Sequence, residues 1–201
     1  GYEQALEAFS ASAKRLQVDY LDLYLIHWPG KHGMKPEDPQ NKLHRRETWR
    51  ALEKLFEEGK VKAIGVSNYT IEHLEELLQS NPKVIPSVNQ VEFHPWFYQK
   101  ELLEYCKSKG IFLQAYSSLA RLKFSDPEIE RMAKKYNKTQ SQILLRWGDQ
   151  HEVGLIPKSS NPERILENIQ IYDFTIDEND MKILDNFVQK DKTCWDPRTV
   201  K

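Results

Sequence analysis

YLDLYLIHWPG, residues 20–30, is a run of apolar and aromatic residues that stops at His27-Trp28-Pro29. Apart from Asp22, residues 20–26 would place such side chains on both faces of a strand. A strand of that kind belongs to a parallel sheet covered by helices, not to a sheet with one wet face. Upstream, Leu6, Phe9, Ala13 and Leu16 recur at helical spacing and predict a helix over 3–17. Downstream, KHGMKPEDPQNKL (31–43) carries two prolines, a glycine and many charges, and reads as a loop. A helix is expected over 44–58, with Gly59 as its stop.

The pattern then repeats. Strands are expected at 62–67, 87–92, 111–116 and 153–157. Helices are expected at 70–80, 99–109, 126–136, 139–149, 161–170 and 177–187, with Thr70, Thr139 and Asp177 as caps and Pro162 in a first turn. The tail 188–201 is polar and reads as irregular. Alternation of this kind means α/β, either an open doubly wound sheet or a (β/α)8 barrel. The open sheet's G-x-G-x-x-G turn is absent from the sequence. Instead the strands end in polar clusters: His27, Ser67-Asn68, Gln90-Val91-Glu92, Tyr116-Ser117-Ser118 and Lys158-Ser159-Ser160. In a barrel these converge on the C-terminal rim, where active sites form. The expectation is a partial (β/α)8 TIM barrel lacking the first strands, as one domain over 1–201. Asp22 is then directed to the barrel bottom or paired.

Bulk properties narrow the function. Of 201 residues, 39% are hydrophobic and 29% charged, an ordinary globular balance. A formal net charge of −1 gives no pointer to nucleic acid or an acidic membrane. No apolar run reaches the length of a membrane span, and no signal segment is visible. Cys106 and Cys194 stand alone, outside metal-like spacing, as in a reduced cytoplasmic protein. No metal site is expected, since no His pair has ligand spacing on one helix. The start at Gly1 is read as the mark of an N-terminally incomplete chain.

Each strand-end cluster has a structural and a chemical reading. His27 is a half-buried histidine bonded to a loop, or an imidazole that acts at a polarised carbonyl. Trp28 is rim packing, or the wall of an apolar pocket. Ser67, Asn68 and Gln90 cap the turns that follow them, or together hold a flat carboxamide. Tyr116 is a core tyrosine, or a ring on which another ring stacks. In IPKSSNPERILEN (156–168) a strand end meets a helix start with Lys158, Ser159 and Arg164. Helix N-termini and cations together favour a phosphate monoester.

These residues together resemble the aldo-keto reductase family. The matching stretches are LDLYLIHWP (21–29), EEGKVKAIGVSNYT (57–70), PSVNQVEFHPW (86–96), GIFLQAYSSL (110–119) and IPKSSNPERILENIQIYDF (156–174). They follow the family's order and cover nearly the whole chain. The resemblance implies an oxidoreductase, NADP-dependent and like alcohol dehydrogenase (NADP+), that passes hydride from NADPH to an aldehyde or ketone. By the same resemblance His27 is catalytic and orients the carbonyl. Ser67, Asn68 and Gln90 hold the nicotinamide carboxamide, and Tyr116 stacks under its ring. Ser117 and Leu119 lie along the pyrophosphate. Lys158, Ser159 and Arg164 take the adenosine 2′-phosphate, and Glu167 and Asn168 contact the adenine. Trp28 and Trp96, with the 31–43 loop, shape the substrate pocket. The implied partner is a small carbonyl compound, with neither nucleic acid nor membrane, in a protein monomeric when complete.

Two departures accompany the resemblance. The family's Asp, its general-acid Tyr and its Lys have no match here, and Tyr2 and Tyr20 lie in the wrong context. The chain alone is therefore expected to be inactive, and the competing reading is a truncated, non-catalytic barrel fragment that binds cofactor or partners without turnover. The loop after Tyr116 is also short: Arg121–Phe124 runs almost directly into Asp126-Pro127, with altered cofactor release as the expectation.

Overall fold

The computed structural model describes residues 1–120, 126–190 and 192–201; the short loop at Arg121–Phe124 lies outside them. The described residues form two units, one of residues 1–90, 102–112 and 196–201, the other of 91–101 and 113–195.

The first unit opens with α1 (Tyr2–Leu16), which ends on Gln17 in the left-handed region. It continues through β1 (Tyr24–Ile26), α2 (Gln40–Glu57), β2 (Ile64–Ser67) and α3 (Ile71–Gln79). Next come β3 (Val88–Glu92) and α4 (Lys100–Ser108), whose residues fall in both units. β1 pairs parallel with β2 at Leu25↔Gly65, and β2 pairs parallel with β3 at Ser67↔Gln90. Gly65 permits this approach: a Cβ there would meet the Val88 carbonyl oxygen at 2.6 Å. Trp49 and Leu52 of α2, Ile64 of β2 and Leu74 of α3 are buried in the core.

Three expectations shift. The strand predicted over 20–26 pairs as a strand only at Tyr24–Ile26, and Leu21 makes an isolated bridge to Val61. Among the described residues β1 pairs on one side only, and so Tyr24 and Leu25 are half-buried rather than enclosed. Asp22 is the paired residue of the two alternatives, accepting from Lys62 Nζ at 2.9 Å. Within the predicted loop 31–43, α2 already begins at Gln40, whose N–H donates to Asp38 Oδ1 at 2.9 Å. The aspartate satisfies one of the open donors of the first turn. Gly59 adopts φ 69°, the left-handed stop expected after α2.

The second unit contains β4 (Phe112–Tyr116), which begins at the boundary, α5 (Pro127–Tyr136), α6 (Gln140–Gln150) and β5 (Gly154–Leu155). α7 (Pro162–Ile169) and α8 (Glu178–Asp185) follow. β4 pairs parallel with β5 at Gln114↔Gly154. β5 is two residues long, not the predicted five-residue run 153–157. α5 to α8 each start on a side-chain cap: Asp126, Thr139, Asn161 and Asp177 each accept a backbone N–H of the first turn. Such caps contribute about 1 kcal/mol each. Phe93 stacks on Trp147 with ring centres 5.0 Å apart, at the heart of this unit's core. Among the described residues no helix is long and apolar enough to cross a membrane.

Candidate active site

In the first unit the ends of β1, β2 and β3 meet through Ser67 and Asn68. Ser67 Oγ donates to the Gln90 carbonyl at 2.8 Å, and the Asn68 N–H donates to the same oxygen at 2.9 Å. Asn68 Nδ2 donates to the His27 carbonyl at 3.0 Å and to Ser67 Oγ at 3.1 Å. Both Nδ2 protons are thereby engaged. Asn68 sits at φ 63°, a conformation that asparagine tolerates better than most residues. Next to it, the Asn89 side chain donates to the Tyr69 carbonyl at 2.9 Å. So the polar residues read as a carboxamide site tie three strand ends together. They also fix the backbone of His27, whose side chain is exposed at the end of β1. Trp28 beside it is half-buried.

In the second unit a cavity of about 520 Å³ opens beyond β4 and β5. Its lining includes seven of the residues singled out in the sequence: Tyr116, Ser117, Leu119, Lys158, Ser159, Arg164 and Asn168. The volume lies in the usual range for small-molecule sites. Ser117 occupies the left-handed region at φ 52°, and its carbonyl closes a tight turn onto the Ala120 N–H at 2.7 Å. That turn carries the chain away from the strand and leaves Tyr116 at its end. Ser159 Oγ accepts from the Asn161 N–H at 3.1 Å, which bends the chain into α7. Lys158 and Arg164 are exposed, and no carboxylate among the described residues pairs with either. The cavity therefore presents two cations beside a helix start, where an anion is favoured.

Two sequence-predicted residues are elsewhere. Glu167 does not line the cavity; its carboxylate accepts from Thr139 Oγ1 at 2.7 Å, at the start of α6. Trp96 is buried at 4% exposure against Phe187, with ring centres 5.4 Å apart. The adjacent proline and the backbone bond from the Lys190 N–H to the Trp96 carbonyl, 2.7 Å, turn this stretch into the core. Sequence reasoning gave no role to Ser141, Ile156 or Pro157, which also line the cavity together with Cys194. No group of three or more His, Cys, Asp or Glu able to hold a metal occurs among the described residues.

A family model described as aldo/keto reductase family matches residues 2–189. The chain belongs to the aldo/keto reductase family. Glyoxal reductase of Bacillus subtilis is 51% identical over 186 residues, which are 92% of this chain and 63% of that protein. The chain thus spans less than two thirds of that relative's length. MGS-M4, an aldo-keto reductase from a Medee basin deep-sea metagenome library, is 45% identical with a TM-score of 0.88, covering all of this chain and 72% of its own. A mutant of Gox0644 solved in complex with NADPH is 37% identical with a TM-score of 0.89, covering 100% of this chain and 71% of its own. The parallel α/β arrangement is the family's.

Proposed function

We propose that this chain is part of an NADPH-dependent carbonyl reductase, which converts an aldehyde or ketone to an alcohol. The observation that carries the reading is the cavity of about 520 Å³ lined by Lys158, Arg164, Asn168 and Tyr116. A dinucleotide with an extra phosphate suits that lining. Lys158, Ser159 and Arg164 would bind the phosphate by charge-assisted hydrogen bonds. Asn168, nearly buried at 9% exposure, would meet the adenine through its amide. Tyr116 offers a ring for stacking, and Ser117 and Leu119 a wall along the pyrophosphate. The NADPH complex of the similar Gox0644 mutant supports the choice of cofactor.

When bound, NADPH would supply the hydride. The chain's own share is binding and orientation. In the first unit Ser67, Asn68 and Gln90 would hold the carboxamide. The Asn68 amide protons are engaged with the His27 carbonyl and Ser67 Oγ, which fixes the plane of the amide at the end of β2. His27 would donate a hydrogen bond to the substrate carbonyl and orient it, with Trp28 as the apolar wall. We assign the general-acid role to no tyrosine of this sequence.

We infer further that the parallel strands are a segment of a (β/α)8 barrel. In support, among the described residues β1 and β5 each pair on one side only. Ile156 beside β5 and Ile165, Leu166 and Ile169 of α7 are exposed apolar side chains, as a neighbouring barrel element would otherwise cover. The test is the oxidation of NADPH by the natural protein in the presence of a simple aromatic aldehyde. Aldehyde-dependent oxidation supports the reading. Cofactor binding without turnover on any carbonyl favours a non-catalytic barrel fragment instead.

A further inference from the structure

Glu92 ends β3 in the second unit and is fully buried. A carboxylate removed from water is costly unless donors surround it. Here all but one of the partners come from a segment about a hundred residues away. Glu92 Oε1 accepts from the Thr193 N–H at 2.7 Å, from Thr193 Oγ1 at 2.6 Å and from His94 Nε2 at 3.2 Å. Its Oε2 accepts from the Cys194 N–H at 3.2 Å and lies 3.4 Å from Lys192 Nζ. Lys192 is itself almost wholly buried, at 5% side-chain exposure. It lies 3.4 Å from the Tyr116 hydroxyl and 5.7 Å from the centre of that ring. Cys194 Sγ is 3.8 Å from Ser117 Oγ and lines the cavity. One carboxylate therefore holds three consecutive residues, two of which touch the cavity residues Tyr116 and Ser117.

We propose that Glu92 is a positioning residue for the cofactor cavity: it fastens Lys192–Cys194 so that Lys192 sets the Tyr116 ring and Cys194 forms the wall beside Ser117. This rests on the reading of the cavity as a cofactor site. The bonds run to backbone N–H groups as well as to side chains, so they fix the path of the segment and not only its rotamers. Glutamine at this position keeps the shape. It loses the charge that faces Lys192 and turns an amide N–H toward the Cys194 N–H or the Thr193 donors.

The experiment follows two readouts in the same chain, for the unaltered protein, Glu92→Gln, and the segment-side variants Thr193→Val and Lys192→Met. The first is the rate at which a thiol reagent modifies Cys194, with buried Cys106 as the internal control for global unfolding. The second is the affinity for NADPH by fluorescence titration. The proposal expects Cys194 to react about tenfold faster in Glu92→Gln while Cys106 stays protected, and NADPH to bind about tenfold more weakly. Thr193→Val and Lys192→Met should move both readouts the same way by smaller factors, and they decide the matter if Glu92→Gln does not fold. An unchanged Cys194 rate in folded variants overturns the anchoring. A faster Cys194 rate with undiminished NADPH affinity overturns the positioning role. Failure of the unaltered chain to bind NADPH instead removes the cofactor reading, and the thiol rate still decides whether Glu92 anchors the segment.

Discussion

The two groups of strand-end polar residues behave differently, although the sequence writes them alike. In the first unit Ser67 and Asn68 are buried and bonded to the Gln90 and His27 carbonyls, so their donors hold the strands together. In the second unit Lys158 and Arg164 are exposed, beside a cavity and without an acid partner among the described residues. The difference teaches that a polar strand end is a binding group only to the extent that the fold leaves its hydrogen-bonding capacity unused. The first group uses its donors to hold shape; the second leaves two cations exposed beside a cavity.

The comparison can be broken by substitutions that should separate stability from affinity. The largest effect is expected from acid. In Glu92, burial works to raise the pKa, but the bonds from His94 and Thr193 and the Lys192 charge outweigh it and hold it at about 2, against an ordinary 4.5. Its stabilising contribution is complete above pH 4.5 and is lost as pH falls through that value toward 2. The loss is on the order of 3 kcal/mol. The urea midpoint of the unaltered chain should therefore fall with acid, and Glu92→Gln should show a shallower pH dependence. Equal slopes would mean that Glu92 is not held as an ion.

Next in size, Lys158→Ala with Arg164→Ala should weaken NADPH binding about 100-fold, the scale of two charge-assisted hydrogen bonds. The same pair should leave NADH binding and the unfolding midpoint nearly unchanged. Asn68→Ala should do the reverse in kind, costing about 2 kcal/mol of stability through lost bonds and a strained left-handed backbone. Asn68→Gly, which relieves the backbone strain, should recover part of it. A variant at Asn68 that lowers affinity without touching the urea midpoint would erase the contrast between the groups. The smallest effect belongs to Asp22→Asn. Its ion pair with Lys62 is exposed, and exposed pairs contribute under about 1 kcal/mol.

Most of the framework was legible because its signals are local. Thr70, Thr139 and Asp177 cap the helices that their spacing predicts, and Pro162 sits in the first turn of α7. Element ends were less legible where a neighbour decides them. YLDLYLI reads as a fully enclosed strand, yet only Tyr24–Ile26 pair as one, since pairing on a single side leaves the rest without a ladder. The stretch around Lys158 could be read as a candidate site because strand end, cations and helix start are contiguous. Trp96 was read as a pocket wall; its aromatic ring suits a wall and a core equally, and the fold packs it against Phe187. The Glu92–Thr193 contact had no signal at all, because its partners are 101 residues apart and neither side has a periodic pattern.

The proposed function requires the second-unit cavity to recognise the phosphate that distinguishes NADPH from NADH. Parallel fluorescence titrations of the chain with the two cofactors test it most directly. The account predicts saturable NADPH binding at least about tenfold tighter than NADH, the scale of one charge-assisted hydrogen bond. Equal affinity for both, or no binding of NADPH, would contradict it.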